Sequence, residues 1–137
     1  MSRNTWDRIN LYLPLFCGCV IYFFFKRDIV LRKFEDFFPL FSLLRSILFI
    51  DFSPKTVIGL FFMNHLCDVL WAYSLSWSCN LAMKKLATGV VMALVFCAIN
   101  EFAQLTPYIC ATFDWLDLLY EILAIIFSTA VFYITRN

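Results

Sequence analysis

The chain has 137 residues, of which 63% are hydrophobic, 20% aromatic and only 15% charged, and its formal net charge is +1. So apolar a composition excludes an ordinary soluble domain of this length and describes an integral membrane protein, while a net charge so near zero excludes the basic field of a nucleic-acid-binding surface. With no Ser/Gly-rich or Pro-rich linker, low-complexity run or internal repeat, residues 1–137 are expected to form one domain whose partners are membrane lipids or other membrane proteins, with no nucleic acid.

In chain order, the first apolar run starts near Ile9 and stops at Phe23-Phe24-Phe25-Lys26-Arg27-Asp28. Arg3 and Arg8 precede it, which is the outline of a secretory signal, but it ends in bulky aromatics and charge with no small-residue cleavage site. It reads as a retained first span of roughly seventeen to twenty residues, with Pro14 in its first turn or two. The segment from Asp28 to Lys55 is ambiguous, because its apolar stretch at 34–52 carries Pro39 and Arg45 and has acids at both flanks. Three readings compete there: an interfacial amphipathic helix, a re-entrant hairpin buried in protein, and a fifth crossing.

A second apolar stretch runs from Thr56 to Met83 and ends at Lys84-Lys85. A third runs from Leu86 to Leu105, closed by Thr106-Pro107, and a fourth from Trp115 to Thr135, closed by Arg136. The expected fold is therefore all-α, a membrane bundle of four spans whose last three are antiparallel neighbours joined by short connections. If 34–52 stays on one face, Arg3, Arg8, Lys84, Lys85 and Arg136 lie on one side and Lys26, Arg27, Arg32, Lys33, Arg45 and Lys55 on the other, a balance that assigns no orientation. If it crosses, the Lys26 to Lys33 cluster joins Lys84, Lys85 and Arg136, and the positive-inside rule favours five crossings. Both arrangements are expected to put Lys84-Lys85 in the cytoplasm and the connection from Thr106 to Asp114 outside, in a multi-pass membrane protein.

Within this oily chain the acids carry the functional signal, since an ionisable residue at membrane depth is costly. Glu101 and Gln104 are three apart and share a helix face at the end of the third span, while Asp114, Asp117 and Glu121 line one stripe at the start of the fourth. Asn64, His65 and Asp68 form a matching polar island in the second span. Counting about 1.5 Å per residue from Thr56 puts His65 and Asp68 near mid-membrane, so that a funnel open outward and ending near Asp68 fits. So many carboxylates cannot all remain ionised in a low-dielectric pocket without sharing a proton, a metal ion or a cationic group, with His65 and Arg45 as sources of positive charge. The dipole of the fourth helix also favours acids at its start, and capping alone could account for Asp114.

Asn64, the Glu101-Phe-Ala-Gln104 ending and the Asp114-Trp-Leu-Asp117 opening together resemble the VanZ-like family of small bacterial membrane proteins, with Phe37-Phe38-Pro39 matching an aromatic and proline segment of that family. The resemblance covers about residues 37–135. The chain departs from the family pattern in having Ala111-Thr112-Phe113 where an Arg commonly stands, Glu121 and Ala124 where Asn and Gly are usual, and Asp68 with Trp71 in place of Pro-x-Gly. As a divergent member it would be a multi-pass protein of a bacterial inner or plasma membrane acting at the cell envelope, where the family's name is associated with teicoplanin resistance. Glu101, Asp114 and Asp117 are the candidate catalytic residues, and Asn64, His65, Asp68, Gln104 and Glu121 the substrate-binding candidates; the resemblance covers Asn64, Glu101, Gln104, Asp114 and Asp117, while His65, Asp68 and Glu121 join them through shared helix faces.

Plainer readings compete with each feature. The acids and Gln104 could be structural polar glue between helices, and His65 a hydrogen-bonded core histidine. One His among scattered carboxylates is not a metal motif, so no metal or cofactor is assigned, although a hard cation is no less plausible than a transition metal. Ser74, Ser76 and Ser78 read as small packing positions rather than nucleophiles. Cys17, Cys19, Cys67, Cys79 and Cys97 fall within spans as small hydrophobes, and with Cys110 they are expected to form no disulfide. Three function classes follow: a VanZ-like protein that binds or modifies a lipid-linked or cell-wall-related molecule, a small proton- or cation-coupled transporter acting as an oligomer, and a non-catalytic membrane adaptor.

Overall fold

The structure, a computed structural model, describes residues 2–25, 40, 43, 56–105 and 113–136. Its elements are all helical: α1 (Arg3–Phe25), α2 (Val57–Asn64), α3 (Leu66–Ala82), α4 (Leu86–Ala103) and α5 (Trp115–Arg136). The competing readings of 34–52, the match at Phe37-Phe38-Pro39 and the connection at 106–112 lie outside the described residues, apart from Leu40 and Leu43.

Local chemistry sets the helix ends. Ser2 caps α1 by accepting from the Thr5 amide at 3.3 Å, which starts the helix six residues before the apolar run and leaves Pro14 well inside it rather than in its first turns. Thr56 caps α2 by accepting from the Gly59 amide at 3.2 Å. The second apolar stretch is not one helix, because it breaks at His65, a turn residue with φ −116° and ψ −23° between α2 and α3. Asn64 and His65 are poor helix formers that lie where the chain can place an imidazole on a neighbouring helix, and that contact stabilises the interruption.

Helix α3 is the centre of the packing and touches α1, α4 and α5. It is antiparallel to α1, since Asn10 bonds Tyr73 while Gly18 lies against Cys67 and Leu70. It is parallel to α5: His65 meets Asp117, Ser76 donates to the Ile125 carbonyl at 3.4 Å, and the Asn80 amide donates to Thr129 at 3.2 Å. Between α3 and α4 the chain turns in three residues, and a Cβ on Gly89 would stand 2.4 Å from Asn80 Oδ1 and 3.0 Å from Asn80 Cα, so the two backbones approach as closely as glycine allows. Arg136 bonds both oxygens of Asp7 at 2.8 Å, which brings the two ends of the chain to the same end of the bundle as Lys84-Lys85.

The bundle is inside-out by the standard of soluble proteins. Helix α4 exposes Val91, Val95, Phe96, Ile99 and Phe102 and buries Gly89, Ala93, Cys97 and Glu101. Helix α5 exposes Leu119, Leu123, Ile126, Phe127 and Ile134 and buries Glu121, Ala124, Ile125 and Ser128 along with Phe132. Small and polar side chains face the neighbouring helices while large aliphatic ones face outward, as expected where the surroundings are as apolar as leucine. Among the described residues α4 and α5 are the two helices long and apolar enough to cross a membrane, each with a mean hydropathy of 1.9.

Candidate functional site

The α2–α3 junction, the last turns of α4 and the first turn of α5 meet at the end of the bundle away from the termini. Asp114 opens α5 as its cap, accepting from the Leu116 amide at 2.9 Å. This fixes the first turn, so that Asp117, three residues on, presents its carboxylate to the same side. There it meets the Nδ1 of His65 in a short side-chain contact. Coordinating atoms of His65, Asp114 and Asp117 all lie within 4.8 Å of one another, and all three residues are half-buried.

An aromatic wall holds the imidazole in place. The Tyr120 ring lies 5.0 Å from both His65 and Phe61, and Phe61 lies 6.1 Å from His65. Tyr120 is three residues after Asp117 and so belongs to the face already marked by the acids, although the sequence reading passed over it. A second aromatic group, Phe102 stacked on Phe113 at 5.8 Å and Phe113 edge-on to Trp115 at 4.7 Å, closes α4 against the start of α5.

Deeper in the bundle, Gln104 donates to Glu101 Oε1 at 2.7 Å, as expected for two residues on one face. Glu101 is 2% exposed and Glu121 1% exposed. Glu121 lies within electrostatic reach of Glu101, Asp68 and Asp117, in that order of strength, and is in contact with Cys97. Its Oε2 is buried and makes no hydrogen bond. The deep end of the polar region is thus Glu121 beside Glu101, not Asp68.

Two expectations therefore need revision. His65 does not lie near mid-depth in a continuous span, because the break after α2 brings it level with Asp117 in the first turn of α5. It reaches across to α5 rather than along its own helix to Asp68. Asp68 is half-buried in the first turn of α3 and lines a cleft of about 310 Å³ against α1, formed with Leu15, Gly18, Tyr22 and Trp71. Asn64 is exposed at the end of α2.

The electrostatics of this end are one-sided. Asp68, Glu101, Asp114, Asp117 and Glu121 are five of the six described carboxylates, and His65 is the one basic side chain among them. Every described Lys and Arg, namely Arg3, Arg8, Lys84, Lys85 and Arg136, belongs to the opposite end, beside Asp7. The N-termini of α3 and α5 direct the positive ends of their dipoles at Asp68, Asp114 and Asp117. The C-terminus of α4 opposes Glu101, so helix capping does not explain that residue. Such an arrangement can hold a cation or bind a polyhydroxylated or amine-bearing molecule through acceptor oxygens, and the His65–Asp117 pair can pass a proton.

Comparison with models of known protein families gave no match, and comparisons with curated proteins and with solved structures gave none. The resemblance to the VanZ-like family therefore rests on the motif residues themselves.

Proposed function

We propose that this chain is a VanZ-like integral membrane protein of the bacterial cell envelope, which binds or modifies a lipid-linked or cell-wall-related molecule at its acidic end. One observation carries the reading: residues from separate stretches of sequence, His65, Asp114-x-x-Asp117 and Glu101-x-x-Gln104, converge at one end of a bundle whose outer faces are aliphatic. Polar glue needs partners of matched charge, and an excess of acids around one imidazole goes beyond what helix association requires.

In this reading the membrane is crossed by α1, by α3 with α2 as its entry, by α4 and by α5. The pairing of Asp7 with Arg136 supports an even number of crossings, because a bundle with both chain ends on one side cannot be threaded an odd number of times. The charge asymmetry that favoured five crossings then disappears, and the side occupied by the acidic end becomes a matter for labelling experiments. The first test is teicoplanin susceptibility beside vancomycin in a Gram-positive host expressing the intact chain or Asp117→Asn at equal membrane abundance. Protection that needs Asp117 supports envelope chemistry, while no protection from either form removes the link to glycopeptides.

A small cation-coupled transporter is the second reading, favoured by the full burial of Glu121 with an unbonded carboxylate oxygen. It requires flux into proteoliposomes driven by a proton or cation gradient and abolished in Glu121→Gln.

A further inference from the structure

The acidic end combines two independent features. Near its mouth, three side chains from two separate elements present coordinating atoms within 4.8 Å of one another: the His65 imidazole from the α2–α3 junction and the carboxylates of Asp114 and Asp117 from the start of α5. One turn deeper, Glu121 lies within electrostatic reach of Asp117 as well as of Glu101 and Asp68, with Oε2 buried and making no hydrogen bond, in a residue 1% exposed. A buried carboxyl group of this kind stays ionised only beside a compensating charge and otherwise holds a proton, and among the described residues no Lys or Arg lies at this end to supply that charge.

We propose that His65, Asp114 and Asp117 bind one divalent transition-type cation, Mn²⁺ or Zn²⁺, with Glu121 as the anionic group behind it. The donor set decides the class of ion. Calcium and magnesium take oxygen ligands and are poorly served by an imidazole, whereas one nitrogen with two carboxylate oxygens suits Mn²⁺ or Zn²⁺. The geometry is compatible, since neighbouring ligands of such an ion are about 3 to 3.4 Å apart when each lies about 2.1 Å from the metal. Binding draws the Asp114 carboxylate in towards His65 and Asp117, from coordinating atoms that already lie within 4.8 Å of one another. The support around the ligands is that of a built site: the Tyr120 and Phe61 rings orient the imidazole, and the Leu116 amide anchors Asp114. Three protein ligands leave coordination positions open to a ligand from outside. An ion here would also invert the charge of the pocket, allowing a phosphate-bearing lipid to approach what would otherwise be a repulsive surface.

The site does not depend on the cell-envelope reading, and its test involves no cell-wall molecule. The full chain, purified in detergent and freed of metal with a chelator that is then removed, is titrated with Mn²⁺ while the paramagnetic signal of the free ion is recorded, followed by competition with Zn²⁺. Wild type should take up about one ion per chain, and His65→Gln and Asp114→Asn should weaken binding ten- to a hundredfold. Asn caps a helix as well as Asp does, so Asp114→Asn keeps the start of α5 and separates loss of a ligand from loss of the fold, which gel filtration and thermal melting monitor. No uptake by wild type overturns the proposal, and so does equal affinity in a folded Asp114→Asn.

Discussion

Along the seam between α3 and α5, polar side chains meet neutral partners: Ser76 bonds the Ile125 carbonyl, the Asn80 amide bonds Thr129, and Ser128 bonds the Tyr73 carbonyl at 3.0 Å. About three turns away along the same two helices, His65 and Asp117 face each other amid four further carboxylates. The seam consists of small residues with neutral hydrogen bonds, each contributing about 0.6 kcal/mol in a membrane bundle. The acidic end concentrates charge of one sign, which weakens the fold unless something else binds there. Polar groups inside one bundle thus divide into those that hold helices together and those that await a partner, and the division is visible in their charge balance.

The strongest way to break that comparison is to disturb the seam where it is tightest. Gly89→Ala places a methyl group 2.4 Å from Asn80 Oδ1 and within 3.1 Å of the Asn80 backbone, so α3 and α4 must separate. Asn80 would then move away from Thr129 and Ser76, loosening the second interface as well. A loss of about 1–3 kcal/mol is expected, measured as a lower thermal midpoint in detergent and reduced membrane abundance. A wild-type midpoint would show that α3 and α4 do not pack at this distance.

How far the sequence anticipated this arrangement depends on what kind of signal each part required. Helices α4 and α5 follow from unbroken apolar runs bounded by Lys84-Lys85, Thr106-Pro107 and Arg136, and the pairings of Glu101 with Gln104 and of Asp114 with Asp117 follow from helical spacing. The break at His65 was not legible, since Asn64, His65 and Asp68 fit the helical spacing of one continuous span and the contact that stabilises the break, with Asp117, is tertiary. The same break accounts for the misplaced depth of His65. Tyr120 and Cys97 were legible but missed: one is three residues after Asp117 and the other four before Glu101, on faces already marked as polar. The parallel alignment of α3 with α5 follows from the two intervening turns, but the choice of α3 as the central helix rests on Ser76, Asn80 and Gly89, small residues that carry no signal until their neighbours are known.

Glu121→Gln tests the other half of the comparison. It preserves shape and removes a carboxyl group whose ionised form Glu101, Asp68 and Asp117 all oppose. A gain in stability of about 1 kcal/mol is expected, the usual scale when a functional group is relieved of local strain, and it should accompany loss of any transport or envelope activity. The readout is a higher thermal midpoint in metal-free protein, with the gain shrinking when Mn²⁺ is added because the ion neutralises the same charge in wild type. A fall in stability, with or without metal, would place Glu121 with the structural seam instead.

The smallest effect is expected at the opposite end, where Arg136 joins Asp7 and also lies 4.4 Å from the centre of the Phe132 ring. Both partners of this ion pair are partly exposed, so Asp7→Asn should cost only about 0.5 kcal/mol. Salt distinguishes a surface tie from a buried one: raising ionic strength from about 0.05 to 0.5 M shortens the screening length several-fold, lowering the wild-type midpoint towards that of Asp7→Asn while leaving the variant nearly unchanged. Helix α1 should keep its place in either case, because Asn10 is bonded by the Tyr73 hydroxyl at 2.7 Å and Gly18 packs against Cys67 and Leu70 independently of the ion pair. If Asp7→Asn instead released α1, measured as new protease or thiol-reagent access at Cys17, the two chain ends would be held together by this one contact. The case for an even number of crossings would then have to rest on the alignment of α1 with α3 alone.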